Sequence, residues 1–92
     1  MDLQDLRKKI DNIDNDLIRL FEERLDIAAD IARYKQQNGL PIHDPTREKQ
    51  KLQDVSLKVK DENKEDISDF FSLLFKISKD RQDKIQNTRG NI

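Results

Sequence analysis

Cysteine is absent from the 92 residues, and histidine occurs once, as His43. Without cysteine there is no disulfide framework, no thiol nucleophile and no zinc site built on thiolates. A single histidine leaves no histidine pair for a metal. Glycine and proline occur only twice each, which leaves little turn chemistry, and no stretch alternates as a strand would. Neither charge dominates: 18 basic against 19 acidic residues give a formal charge of −1. No global basic field therefore exists to collect nucleic acid or an anionic membrane. No apolar run is long enough to span a bilayer, and the N-terminus lacks the basic start and apolar stretch of a secretory signal. A cytoplasmic location is the expectation, and the Met start with a hydrophilic end suggests a free-standing protein. Any anion binding has to come from a local cluster.

What the chain does have is helical periodicity. Apolar residues recur at Leu3, Leu6, Ile10, Ile13, Leu17 and Leu20, then at Ile27 and Ile31, in steps that mix three and four. This predicts one long helix over about 3–37, roughly 50 Å from end to end at ~1.5 Å per residue. A compact globule of this size has a radius of gyration of only about 12–13 Å, so the chain cannot wrap such a helix by itself. The core is thin as well, with 34% hydrophobic against 40% charged residues. An intertwined all-α homodimer of three-helix chains is the economical reading.

The same series would place a residue at 24, and there stands Arg24; three turns further on, near the same face, comes Lys35. A permanent cation inside an apolar seam is expensive unless something anionic meets it. Asp2 is suited to cap the helix start, with Asp5 in the first turn. Gln37-Asn38-Gly39 supplies its stop. Pro41 keeps Leu40 to His43 extended, and Asp44-Pro45 opens a second helix over about 45–60, with Arg47 and Glu48 in its first turn. Leu52, Val55 and Val59 give that helix a sparse stripe. Residues 60–65 form a charged connector without hydrophobic anchors, the place for disorder or length variation. A third helix follows over about 65–87, with Ile67, Phe70, Phe71, Leu74, Phe75 and Ile85 on one face. Ser78 and Gln82 fall in register with that face, and polar residues there need partners. Residues 88–92 read as a frayed tail.

Arg24, Lys35, Arg47, Ser78 and Gln82, with Glu48 as the one acid near them, are cations and neutral donors. They include no nucleophile with a neighbouring base, no carboxylate pair and no phosphate loop. Such a set suits holding a small polyanion and placing donors against developing negative charge. Read from the residues alone, Arg7, one position off the seam, is an ordinary solvated cation, and His43 is a surface loop histidine.

Taken together, these runs carry a resemblance. Residues 6–14, Glu23-Arg24 with Ala28 to Lys35, and Pro41 to Glu48 are similar to the all-helical (type II) chorismate mutases; Ser78-Lys79-Asp80-Arg81-Gln82 matches the family's Ser-x-x-x-Gln pair. The resemblance implies a cofactor-free and metal-free isomerase that converts chorismate, a small dianion, to prephenate by an intramolecular Claisen rearrangement. By position, it implies that Arg24 binds one substrate carboxylate and Arg7, from the partner chain, the other. It places Lys35 and Gln82 at the ether oxygen, and Glu48 with the backbone of Asp44 at the ring hydroxyl. Arg47 and Ser78 complete the polar shell. Arg7 and Arg24 are 17 residues apart, about 25 Å along a straight helix. Two such side chains of one chain cannot meet one small ligand, so a shared site requires a second chain. Two other readings stay open: elimination of pyruvate from isochorismate on the same fold, and a non-catalytic dimerisation module in which Arg24 fixes register.

Overall fold

The chain folds into α1 (Leu3–Gln37), α2 (Pro45–Ser56), a short 3-10 turn (Asp61–Asn63) and α3 (Lys64–Gly90). This is seen in a computed structural model that describes residues 1–90, with side chains through residue 86. Asn91, Ile92 and the side chains from Asn87 onward lie outside it; α3 itself runs on through residues 88–90, where the sequence suggests a frayed tail. Among the described residues there is no strand, and the class is all-α.

α1 starts and stops where its chemistry says it should. The Asp2 carboxylate accepts from the Asp5 amide at 2.9 Å, meeting one of the donors a helix start leaves over. At the other end Gly39 takes a positive φ of 64°, and the Leu40 amide turns back to the Lys35 carbonyl at 2.8 Å. The left-handed residue closes the helix and gives the Lys35 carbonyl a partner. Asn38 adds to the cap by donating its side-chain amide to the Tyr34 carbonyl at 2.8 Å.

α2 is shorter than its sequence suggests, ending at Ser56 and not near Lys60. The Ser56 hydroxyl donates to the Gln53 carbonyl at 2.8 Å, and the amides of Leu57 and Lys58 reach only three residues back, to Asp54 and Val55. A serine that bonds locally tightens the last turn and lets the helix close early. The charged connector is correspondingly ordered. Lys60 is extended, the Asn63 amide donates to the Lys60 carbonyl at 2.9 Å, and Lys64 pairs with Asp61 at 3.1 Å as α3 begins.

α3 packs against both α1 and α2 and joins them. Phe70, Phe71 and Phe75 meet edge to face, with ring centroids 5.7 Å and 6.2 Å apart. On α1, Ala28 and Ala32 are buried one turn apart, and their small side chains let another element approach closely. The hydrophobic core of the described chain is otherwise only Ile42 and Val55. The molecule is a rod of 56 × 27 × 15 Å with a radius of gyration of 16.8 Å, well beyond the value for a compact chain of this length. The first half of α1 projects without cover: Leu3, Leu6, Ile10, Ile13, Leu17 and Leu20 are all exposed, Ile10 by 58%. No helix among the described residues is long and apolar enough to cross a membrane.

Candidate functional site

The polar residues that break the apolar pattern meet in one place. Arg24 sits midway along α1 and Lys35 in its last turn, while Arg47 and Glu48 occupy the first turn of α2. Ser78 and Gln82 lie one turn apart on α3. With Asp44 at the α2 cap, these seven line a single cleft of about 350 Å³, a volume in the range of small-molecule sites. Arg7, the eighth residue implied by the resemblance, does not line it.

Each side chain is held by a local cause. The Arg24 guanidinium donates to Ser78 Oγ at 2.6 Å, tying α1 to α3 across the floor of the cleft. Lys35 Nζ donates to the Ile42 carbonyl at 2.8 Å, which aims it at the cleft and holds the connection between α1 and α2. His43 Nε2 of the same connection lies 3.4 Å from Asp83 Oδ1 on α3, an exposed contact that is an ion pair only when the imidazole is protonated. His43 itself is exposed. The Asp44 carboxylate accepts from the Arg47 amide at 3.0 Å, so it serves as the α2 cap with Pro45 at the first helical position.

Electrostatics give the cleft its character. Among the described residues, the only lysines and arginines that are not exposed are Arg24, Lys35, Lys51 and Lys79, and all four line the cleft. Of these four, Lys79 alone has a carboxylate partner, Glu48, at 3.0 Å. Arg24 and Lys35 form no ion pair among the described residues. Desolvation by burial lowers the pKa of the Arg24 guanidinium from its ordinary value, yet a guanidinium stays cationic near neutrality. Cations held out of water without counter-ions are costly unless a ligand supplies the missing charge.

Gln82 makes the complementary point with a neutral group. It is 7% exposed, and its Oε1 is buried without a hydrogen-bond partner. A buried amide left unmatched costs about 1–3 kcal/mol, and turning it about its last bond only exchanges oxygen for nitrogen. In either setting one polar atom remains for a bound molecule. The rest of the lining, Ile27, Ala28, Ile31, Ile42 and Phe75, is apolar. Ile27 and Ile31 are also the continuation of the uncovered face of α1, so the cleft opens toward that face.

The family match follows this geometry. The family model for chorismate mutase type II matches residues 6–83 of the chain. The chain belongs to that family. Over 47 residues it is 53% identical to a chorismate mutase of Methanocaldococcus jannaschii, a stretch that covers 51% of this chain and 48% of that protein. Over 51 residues it is 47% identical to a T-protein of Haemophilus influenzae, covering 55% of this chain and 14% of the other. A 4-amino-4-deoxychorismate mutase of Streptomyces venezuelae is 39% identical over 46 residues, covering 50% and 45%. The chain thus spans less than half the length of each of these relatives. No solved structure matches it significantly.

For this type II chain, two charged lining residues are not among the candidates drawn from the sequence, Lys51 and Lys79. Only their spacing from the other site residues points to them. Lys51 lies four residues after Arg47 and three after Glu48, on one face of α2; Lys79 follows Ser78 and precedes Gln82 by three. The chain is crowded with lysines, and spacing alone does not single out these two. Among the described residues no group of histidine, aspartate and glutamate side chains is arranged to hold a metal ion.

Proposed function

We propose that the protein is a chorismate mutase, an isomerase that rearranges chorismate to prephenate in the supply of phenylalanine and tyrosine. The observation that carries this reading is the convergence of unpaired, part-buried cations with Ser78 and Gln82 on one small cleft. The rearrangement is unimolecular, so the site has to select a compact conformer and stabilise charge as the C–O bond breaks. Arg24 holds one carboxylate of the substrate, with Ser78 orienting its guanidinium. Lys35 and Gln82 face the ether oxygen, where negative charge grows. Glu48 and the Asp44 backbone take the ring hydroxyl, and Arg47 closes the polar shell. An acceleration at the low end for enzymes needs about 8 kcal/mol. A few charge-assisted hydrogen bonds at about 1.5–3 kcal/mol each, together with conformer selection, reach that figure.

The working unit in this reading is a homodimer. The uncovered apolar half of α1 supports it, and so does the opening of the cleft toward the same face. A second chain lying there brings its Arg7 to the mouth of the cleft, for the second carboxylate. Chains carrying Arg7→Ala and Lys35→Ala are each expected to be nearly inactive. Random mixing of the two makes half the dimers mixed, each with one intact site, so about one quarter of wild-type activity should return. No recovery after proven exchange of subunits would exclude a shared site.

Gln82 offers a test by pH. Its amide donates at every working pH, whereas a glutamate donates only when protonated. Gln82→Glu should therefore be active in acid and lose kcat/KM as pH rises through the pKa of the new carboxyl. Wild-type activity should not share that loss. A variant with the wild-type pH profile would remove Gln82 from the ether oxygen.

The deciding assay is direct. Purified protein is mixed with chorismate, loss of substrate absorbance is followed, and prephenate is confirmed by its conversion to phenylpyruvate in acid. Saturable turnover supports the proposal. A folded protein that leaves chorismate untouched but releases pyruvate from isochorismate would replace it. One inert to both would favour the dimerisation module.

A further inference from the structure

Two carboxylates line the cleft, and both have a partner within the chain. Asp44 is engaged as the α2 cap, which leaves Glu48. Lys79 Nζ lies 3.0 Å from Glu48 Oε1, linking the first turn of α2 to the middle of α3. Both side chains line the cleft, and both are part-buried, at 25% exposure for Glu48 and 36% for Lys79. Other ion pairs of the described chain join close neighbours along one helix or turn, or lie on the surface as His43 and Asp83 do. Only this pair stands inside the cleft.

We infer that Lys79 is a specificity-determining residue, which sets the cleft to take a neutral hydroxyl and to refuse an ammonium at the ring position facing Glu48. The inference rests on the reading of the cleft as a mutase site with Glu48 at the ring hydroxyl. One oxygen of Glu48 is occupied by Lys79, and the other accepts from the hydroxyl. A neutral donor needs nothing more than that lone pair. A protonated amine in the same place meets a carboxylate whose charge Lys79 has already balanced, with the lysine's own charge a few ångströms away. Like charges at such a distance in a part-buried site are worth far more than in water. Discrimination then comes from a repulsive element and not from a better fit to the preferred substrate. The relative that acts on 4-amino-4-deoxychorismate, by its name, takes a substrate with nitrogen at this position. That compound is the natural probe.

The experiment compares kcat/KM for 4-amino-4-deoxychorismate and for chorismate, in wild type, Lys79→Met and Lys79→Arg. A ratio of the two substrates cancels any general loss of folding or activity in a variant. Wild type should favour chorismate. Lys79→Met should raise the amine-to-hydroxyl ratio by about tenfold or more, since it leaves Glu48 unbalanced against the ammonium. Lys79→Arg should keep the wild-type ratio. An unmoved ratio in Lys79→Met, or an equal rise in Lys79→Arg, overturns the inference while turnover of chorismate still stands. Wild type that turns over neither compound overturns the functional reading, and this inference falls with it.

Discussion

Alanine at Lys35 is expected to lower kcat/KM for chorismate by at least about 100-fold, the range seen when one donor to a developing oxyanion is removed. The expectation follows from where the ammonium is held. Lys35 is part-buried, has no carboxylate partner among the described residues, and is steered into the cleft by its bond to the Ile42 carbonyl. In the proposed reaction, charge on the ether oxygen that Lys35 would meet exists only as the bond breaks, so the loss should fall on kcat more than on KM. Removing the side chain also frees the Ile42 carbonyl, and a melting curve shows whether the loop has loosened. A variant that melts as wild type does and keeps near wild-type turnover would sink the assignment of Lys35.

Arg24→Ala should be as damaging, at least about 100-fold in kcat/KM, with the loss shared by binding because the carboxylate that Arg24 is proposed to hold is bound in ground state and transition state alike. Its thermal behaviour should differ from that of a structural arginine. The Arg24 charge is held against desolvation, beside Lys35, Lys51 and Lys79 in the wall of one cleft, and its bond within the chain goes to the neutral Ser78 hydroxyl. Deleting it removes a bond but also an unbalanced charge, so the melting temperature should change little while activity collapses. A large fall in stability with modest loss of turnover would instead favour a role in fixing helix register. Arg24→Lys separates charge from shape, because an ammonium lacks the planar fork that grips a carboxylate.

Much of this was legible in the chain because the signals were local. Steps of three and four define α1, and Asn38-Gly39 and Asp44-Pro45 are stop and start chemistry that needs no tertiary context. Arg24 stood out because it breaks a run of apolar residues. The end of α2 was not legible, since Val59 continues the apolar stripe while a single hydroxyl at Ser56 decides where the helix tightens. Lys51 and Lys79 were hidden for another reason. Nothing nearby in sequence separates them from lysines such as Lys76, which pairs with Asp80 on the surface of the same helix. Their place in the wall depends on how α2 settles against α3, and that is a property of packing.

α1 also acts as a ruler. In the proposed dimer a single rod carries Arg24 and Lys35 for one reaction centre and Arg7 for the other, with 17 residues, about 25 Å, between the two arginines. One residue inserted between them would turn one end by about 100° against the other and lengthen the rod by about 1.5 Å. Arg7 would then swing away from the centre it serves, although each end of the helix kept its own sequence. In that dimer, many side chains along this stretch could change, but not their number. The turn between α2 and α3, which carries none of the eight residues, is where length can drift.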